Sequence, residues 1–221
     1  MLRAAIWDMD GTLVDTAEQH FRAWVEACRE KGRDFTRADF AATFGRRNPE
    51  ILAYLFGDRL GKGEAEAFAD RKEELYREAA RRGVELLPGV AALMEGLHQI
   101  GYKQAIGSSA PRANLELILE LTGIDRYLGA VVSSEDTTRG KPDPQVFLVA
   151  AKRLGVEPAN AVVFEDAVAG IQAARAAGMR CVAVSFVGHH SSEKLREAGA
   201  DIVVGSLEEM GAPDVVRLIE S

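Results

Sequence analysis

The sequence has few cysteines, no excess of positive charge and no long apolar run. Two cysteines among 221 residues, Cys28 and Cys181, are too few and too far apart in sequence for a disulfide framework or a cysteine-rich metal cluster. We expect two buried, unreactive thiols in a reducing cytoplasm. The net charge of −7 argues against nucleic acid and anionic membranes as partners, because both repel an acidic protein on average.

No apolar run reaches the roughly 18 residues that a membrane-spanning helix requires. The first strand-like run begins at Leu2, which leaves no room for a signal peptide before it. We therefore expect a soluble, cytoplasmic protein that is a monomer or a weak dimer. Its hydrophobic content of 47% is ordinary for a globular protein and is enough for a sizeable core.

Hydropathy periodicity divides the chain into two kinds of segment. Between the first strand and residue 87 only helical periodicity occurs, and after residue 87 strands and helices alternate. The helices expected in the first segment cover 17–31, 37–43, 49–56 and 64–82. The later strands are expected at 103–106, 130–133, 161–164, 181–184 and 202–204, and the later helices at 90–100, 112–122, 144–154, 167–177 and 192–198.

The alternation predicts an α/β fold, a doubly wound parallel sheet with right-handed crossovers. We expect residues 1–15 and 87–221 to form this core, with residues 16–86 inserted as a separate helical domain. The alternative, that these helices belong to one continuous fold, stays open because the return at residues 87–89 is short.

Two carboxylates, Asp8 and Asp10, follow the first apolar run directly. Ligands of open α/β sheets bind at the carboxyl ends of the strands. Residues two apart on an extended chain point to the same side, so both carboxylates can face one ligand. Their burial calls for a compensating cation or hydrogen-bond donors. The alternative is an ordinary Asp-Gly turn after a strand.

Two further motifs place polar residues near predicted helix starts. Ser108 and Ser109 follow the strand at 103–106, where a hydroxyl and backbone amides can bind a phosphoryl oxygen; a serine there also suits a helix cap. Lys141 precedes a helix, whose dipole disfavours a cation at that end. We therefore expect an anion near Lys141, unless the lysine is simply solvated.

Two adjacent acids, Glu165 and Asp166, follow the strand at 161–164. Asp166 alone could be a helix N-cap. A pair of acids instead favours Mg²⁺, which prefers one or two carboxylates together with waters and a substrate phosphate. His189 and His190 follow the strand at 181–184, and we expect these adjacent histidines to be solvated rather than metal-bound.

The four motifs, in this order and spread over nearly the whole chain, resemble those of the haloacid dehalogenase superfamily. The resemblance implies that Asp8 is a nucleophile that forms an aspartyl phosphate. It implies that Asp10 protonates the leaving oxygen and later deprotonates the acceptor. Ser108 and Lys141 would bind the transferring phosphoryl group.

The same resemblance implies a magnesium ion. It would be held by the Asp8 side chain, the Asp10 backbone carbonyl and Asp166, with Glu165 close by or bridging through water. The helical segment 16–86 looks like the cap that many members of the superfamily insert after the nucleophile loop, where it closes over the site.

The start of that segment looks like the cap of β-phosphoglucomutases. Thr16 and His20 lie one helical turn apart, so His20 could hydrogen-bond Asp10 and hold it out of line until the cap closes. The alternative is that His20 is a packing residue.

Other cap positions depart from the mutase pattern. Mutases resembling this chain carry a lysine before the cap glycine and an arginine after it, which grip the phosphate that is not transferred. Here Phe44 precedes Gly45, and Arg46 and Arg47 lie out of register. Ser109 stands in a second motif that also differs from theirs.

We therefore predict a phosphatase that acts on a small phosphorylated metabolite, a sugar phosphate or a similar phosphomonoester. The alternative is a β-phosphoglucomutase that interconverts β-glucose 1-phosphate and glucose 6-phosphate. A catalytically idle binding protein fits less well, because none of the main motif residues is missing. The candidate substrate contacts are Thr16, His20, Gly45, Arg46, Arg47 and Ser109.

Overall fold

The structure is a computed structural model and describes residues 2–221. Its strands are β1 (Ala4–Trp7), β2 (Lys103–Gly107), β3 (Ala130–Val132), β4 (Ala161–Glu165), β5 (Arg180–Val184) and β6 (Ile202–Val204). They form one parallel sheet in the order β3-β2-β1-β4-β5-β6. The strand order reverses at β1, as it does in doubly wound folds, so the predicted fold class is confirmed.

Helices surround the sheet and form a separate group after β1. Within residues 2–221 they are α1 (Ala17–Glu30), α2 (Arg37–Thr43), α3 (Asn48–Phe56), α4 (Lys62–Ala80), α5 (Val90–Gln99), α6 (Arg112–Thr122), α7 (Gln145–Leu154), α8 (Val168–Ala176), α9 (Ser192–Glu197) and α10 (Ala212–Glu220). The predicted helices and strands are confirmed with small shifts at their ends.

Both faces of the sheet are covered, which explains why β1 is apolar along its whole length. Ala5 and Trp7 pack into the cluster formed with α5, α6 and α10. Ala4 and Ile6 point to the opposite face and pack with α7, α8 and α9. Alternate residues of β1 therefore pack on opposite faces of the sheet. Both faces are apolar, so a polar side chain is unfavourable before the strand ends.

The first four helices pack around an apolar cluster of their own. Its aromatic members are Trp24, Phe35, Phe40, Phe56 and Phe68. α1 packs along α4, and α2 begins with a capping box in which Thr36 and Asp39 satisfy each other's backbone amides.

The chain enters and leaves this helical segment at one place. Val14 bridges antiparallel to Leu86, and the amide of Leu87 donates to the carbonyl of Leu13 at 2.8 Å. The two connections therefore lie side by side. The expected division into 1–15 with 87–221 and an inserted 16–86 stays a prediction.

The strand at 202–204 is the last element that the sequence predicts, and the structure adds α10 after it. Pro213 occupies the first turn of α10, where its missing amide hydrogen costs nothing. Val215 and Leu218 from this helix are buried. Within residues 2–221, every helix is too short or too polar to cross a bilayer.

Candidate active site

Parallel strands bring three polar residues to one edge of the sheet. β1 runs into Asp8, whose amide donates to the carbonyl of Phe164 at 2.9 Å. β2 is followed by Ser108, whose amide donates to the carbonyl of Val132 at 3.0 Å, and β4 ends in Glu165. These side chains are buried. Adjacent strand ends thus assemble residues far apart in sequence, as the topology predicts.

Lys141 reaches the same edge from the loop before α7. Its Nζ donates to Asp8 Oδ1 at 2.5 Å and to Glu165 Oε1 at 2.7 Å. Burial alone would lower the pKa of Lys141, but the two carboxylates outweigh burial and hold that pKa above its usual range. A protonated lysine therefore lies against the Asp8 carboxylate.

Asp166 completes a group of three acids. Asp8, Glu165 and Asp166 each place one carboxylate oxygen within 4.8 Å of the other two. Asp166 Oδ2 is buried and has no hydrogen-bond partner within residues 2–221. A Cβ on Gly11 would lie 2.1 Å from that oxygen, so only glycine leaves room for this carboxylate.

The charges in this group do not balance, since three buried carboxylates face one ammonium group. Burial, together with the charge of Glu165, raises the pKa of Asp8 to about 7 despite the nearby Lys141. Burial and Glu165 also raise the pKa of Asp166. A hard dication would balance the excess negative charge, and carboxylate oxygens are its preferred ligands. The orphaned Asp166 oxygen and this donor set therefore fit a divalent metal ion.

Asp10 lies beside this group but is held by other residues. The Thr16 hydroxyl donates to Asp10 Oδ1, and His20 Nε2 lies 3.3 Å from the same oxygen. Burial raises the pKa of Asp10, but His20 and Thr16 outweigh burial and hold that pKa below its ordinary value. The spacing of Thr16 and His20 predicted a contact between His20 and Asp10, and the structure contains that contact.

A buried ion pair between Lys72 and Glu73 lies next to His20 and was not predicted from the sequence. Lys72 Nζ lies 2.9 Å from His20 Nδ1 and donates to Glu73 Oε1 at 2.9 Å. Lys72 is 2% exposed and Glu73 is 5% exposed, a burial that charged residues reach almost only in pairs. Both side chains line the cavity next to Asp10.

One signal in the sequence could have revealed Lys72. Phe68, Lys72 and Tyr76 are spaced by four residues and share one face of α4. Phe68 and Tyr76 are buried, so the apolar stripe carries a cation in its middle. A charge on an apolar stripe indicates a buried partner, although the sequence does not say which acid supplies it.

The helical segment and the sheet edge enclose one cavity. The side of the helical segment contributes Trp24, Phe40, Phe44, Gly45, Arg46 and Ile51. The sheet edge contributes Asp8, Asp10, Ser108, Ser109, Lys141 and Asp166. A substrate here would have its phosphate at the sheet edge and the rest of the molecule against the helical segment, whose wall also includes the polar side chains of His20, Thr43, Asn48, Lys72 and Glu73.

Of the candidate substrate contacts, His20, Gly45, Arg46 and Ser109 line this cavity, whereas Thr16 and Arg47 do not. Arg47 Nη2 donates to the carbonyl of Ser134 at 2.6 Å, across the gap between the helical segment and the core. A Cβ on Gly140 would meet Arg47 Cδ and Glu50 Oε1 at 2.7 Å each. The loop before Lys141 is therefore in close contact with the start of α3.

His189 forms a second contact between the helical segment and the rest of the chain. Its ring lies 4.0 Å from the ring of Phe44, centroid to centroid, and burial lowers its pKa. His189 was expected to be solvated rather than metal-bound; it is instead partly buried, because the folded chain brings it to an aromatic side chain distant in sequence. Cys28 and Cys181 are buried thiols, and neither forms a disulfide within residues 2–221.

A family model described as a hydrolase, haloacid dehalogenase-like hydrolase, matches residues 2–178. The fructose-1-phosphate phosphatase of Escherichia coli (strain K12) is 36% identical over 183 residues, which cover 82% of this chain and 96% of that protein. The β-phosphoglucomutase of Mycobacterium bovis is 31% identical over 241 aligned positions, which cover 95% of this chain and 91% of that protein.

The fold has solved counterparts as well. The crystal structure of β-phosphoglucomutase from Clostridium difficile superposes with a TM-score of 0.89 at 26% identity, covering 100% of this chain and 98% of that one. This chain is thus similar both to phosphatases and to phosphomutases.

Proposed function

The chain belongs to the haloacid dehalogenase-like hydrolases, and from that premise we propose that it is a phosphatase of sugar phosphates or similar small phosphomonoesters. The observation that carries the proposal is the Asp8 carboxylate, which lies at the end of β1 against Lys141 and lines the cavity. Asp8 is the nucleophile, and its attack on phosphorus forms an aspartyl phosphate.

Electrostatics sets the main barrier to that attack. A phosphate dianion about 3 Å from an ionised carboxylate is repelled by about 10 kcal/mol at an effective dielectric near 20. The Lys141 ammonium, 2.5 Å from Asp8, offsets part of this repulsion and binds the phosphoryl oxygens. The Ser108 hydroxyl accepts from the amide of Ala110 at 3.1 Å, which leaves its own hydrogen to donate to the phosphoryl group.

Asp10 supplies the proton chemistry. Protonated once it has turned from Thr16 and His20, it gives that proton to the leaving oxygen as the substrate bond breaks, and it takes one back from the water that hydrolyses the aspartyl phosphate. Thr16 and His20 hold its carboxylate in the conformation described. Asp10 must turn from these partners to reach the leaving oxygen.

The metal proposed for this site is Mg²⁺. Asp8 and Asp166 would hold it by their side chains and Asp10 by its backbone carbonyl, with Glu165 nearby. When bound, it supplies positive charge that screens the nucleophile from the phosphate. Glu165 is itself fixed by the amides of Asp166 and Ala167, which donate to Glu165 Oε2 at 2.8 and 2.6 Å.

Three contacts favour a phosphatase over a mutase. A mutase must hold a second phosphate while the bisphosphate reorients, which requires a strong second anion site. Here Phe44 packs on His189, and Asn48 donates to Glu73 at 2.8 Å. Arg112, at the start of α6, pairs with Asp136 at 2.5 Å. The similarity to a fructose-1-phosphate phosphatase supports a sugar monophosphate as substrate.

We further propose that residues 16–86 are a cap domain on a core of 1–15 and 87–221. Its separate apolar cluster and the adjacent connections at Val14 and Leu86 support this division. Arg46, which lines the cavity, is the cap cation available to the substrate. A cytoplasmic location and a monomeric or weakly dimeric state remain part of the proposal.

A hydrolysis screen tests the function directly. Hexose, pentose and nucleotide monophosphates are incubated with Mg²⁺, and the conversion of β-glucose 1-phosphate to glucose 6-phosphate is followed in parallel. We expect steady release of phosphate from several sugar monophosphates without a bisphosphate activator. Isomerisation at least about 100 times faster than phosphate release, equivalent to about 2.7 kcal/mol in barrier height, would instead establish the mutase.

A further inference from the structure

Glu73 is buried and has every oxygen engaged. Its Oε1 accepts from Lys72 Nζ at 2.9 Å and from Asn48 Nδ2 at 2.8 Å, and its Oε2 accepts from Asn114 Nδ2 at 2.7 Å. Burial alone would raise the pKa of Glu73, but the charge of Lys72 and these hydrogen bonds lower it to about 2. Glu73 is therefore an anion at neutral pH.

The donors to Glu73 come from different parts of the fold. Asn48 begins α3 in the helical segment, and Asn114 lies in α6 beside the sheet. Asn114 is fully buried, and its Oδ1 accepts from Arg77 at 3.0 Å. These contacts fix the Glu73 carboxylate from two sides, and Lys72 is held by that carboxylate.

The position of Lys72 determines which nitrogen of His20 carries hydrogen. A lysine ammonium group has three donors and no acceptor. Since Lys72 Nζ lies 2.9 Å from His20 Nδ1, that nitrogen must accept, and the hydrogen of the neutral ring resides on Nε2. Nε2 faces Asp10 Oδ1 at 3.3 Å, where a hydrogen is needed because the carboxylate can only accept.

The opposite tautomer would fail at both contacts. Its Nδ1 hydrogen would point at the Lys72 ammonium, and its Nε2 lone pair would face the Asp10 carboxylate. The ring is also restrained, because it stacks on Tyr76 with centroids 3.9 Å apart and an interplanar angle of 11°.

We propose that Glu73 is a positioning residue that holds Lys72 against His20 and thereby fixes the His20 tautomer that donates to Asp10. The catalytic consequence rests on the proposed function of Asp10, because a misdirected Asp10 transfers protons poorly. General acid–base catalysis contributes typically about 10²- to 10⁴-fold to rates. Partial loss of orientation should therefore lower kcat by roughly ten- to a hundredfold.

The experiment follows the His20 tautomer and the kinetics in the same variants of the full chain. Imidazole nitrogens are observed by ¹⁵N NMR at a pH above which the His20 signals no longer change, so that the neutral ring is the species observed. The His20 signals are identified by their loss in His20→Gln. We expect a single Nε2–H tautomer in the wild type and a mixture in Glu73→Gln. In the latter kcat falls roughly ten- to a hundredfold and KM changes less than about threefold.

Glu74→Gln is the matched control on the same helix. Its carboxylate is 56% exposed and lies 3.4 Å from Arg71 Nη1, so it is outside this network. We expect wild-type kinetics and an unchanged His20 tautomer. If Glu73→Gln fails to fold, Lys72→Met with Glu73→Gln removes the ion pair as a unit, which buried sites often tolerate, and the mixture of tautomers is expected there too.

A folded Glu73→Gln protein that keeps the single Nε2–H tautomer overturns the proposal, whether or not kcat falls. If the double variant is the one that folds, an unchanged tautomer in it has the same meaning. The tautomer is read without substrate. An absence of phosphatase activity in the wild type would therefore reject the proposed function while leaving the NMR result interpretable.

Discussion

The sheet edge and the helical segment bury charged side chains in opposite ways. At the sheet edge, Asp8, Glu165 and Asp166 outnumber the single cation Lys141. In the helical segment, Lys72 and Glu73 form a one-to-one pair whose remaining acceptors are satisfied. The unbalanced group requires a ligand of positive charge, whereas the balanced pair requires none.

This difference indicates how the two regions divide the work. An excess of buried negative charge is costly unless a cation binds, which supports the metal and phosphate chemistry that we propose for the sheet edge. The paired charges of the helical segment add no net charge, and they orient the side chains that they contact. They lie against His20, which contacts Asp10, and under the proposed mechanism they connect the helical segment to the proton chemistry.

Among all the changes, removing the nucleophile at the sheet edge should have the largest effect on activity. Asp8→Asn keeps the volume but removes the attacking charge, and we expect kcat to fall at least about 10⁴-fold. Phosphate release is measured, with circular dichroism as the check on folding. Asp125→Asn, an exposed aspartate remote from the cavity, should behave as wild type. Near-normal turnover in folded Asp8→Asn would disprove the covalent route.

Metal removal tests the charge imbalance itself. Chelation with EDTA should lower phosphatase activity to at most about a thousandth, because the Asp8 and Asp166 charges need a hard cation. Adding Mg²⁺ should restore the activity and raise the unfolding temperature, whereas an equal ionic strength of NaCl should do neither. Full activity in the chelated protein would mean that Lys141 alone balances the site.

The balanced pair should show itself in stability and its pH dependence. The pKa of Glu73 is about 2 in the folded protein, below the ordinary 4.5. Its favourable contribution is therefore present above pH 4.5 and lost as pH falls towards 2. We expect Glu73→Gln to lower the free energy of unfolding by about 3 kcal/mol near pH 7. Urea unfolding should show that difference shrinking by more than half by about pH 3.

Glu74→Gln should show no such pH-dependent difference from the wild type, because its partner Arg71 is exposed. A gap between wild type and Glu73→Gln that stays constant from pH 7 to pH 3 would contradict the ionised buried pair. The contrast between an unbalanced sheet edge and a balanced ion pair in the helical segment would then no longer hold.

The smallest effect concerns the contact between the two regions. In Gly140→Ala the new Cβ would press on Arg47 and Glu50, whose flexible side chains can move aside. We expect KM to rise about threefold with kcat nearly unchanged, measured with the preferred sugar phosphate. Gly63→Ala, a helical position with no atom within 4 Å of the new Cβ, is the control. Identical kinetics in both variants would show that this contact does not affect the cavity.

Much of the sheet-edge site could be predicted because chain order and strand ends determine it. Asp8 and Ser108 follow β1 and β2, Glu165 ends β4, and parallel strands bring their carboxyl ends to one edge whatever the loops do. Local hydropathy alone was enough to predict the strands. α10, which was not predicted, is a nine-residue helix whose buried residues Val215 and Leu218 pack into the core cluster on one face of the sheet.

The sequence by itself determined the doubly wound sheet and the order of its polar strand ends, because period and burial are local properties of a strand. Only the tertiary structure decided the partners of Lys72, the place of His189 against Phe44 and the turning of Arg47 towards Ser134. These contacts join residues on separate helices and loops. Their geometry depends on how the helical segment packs on the sheet, which no local pattern encodes.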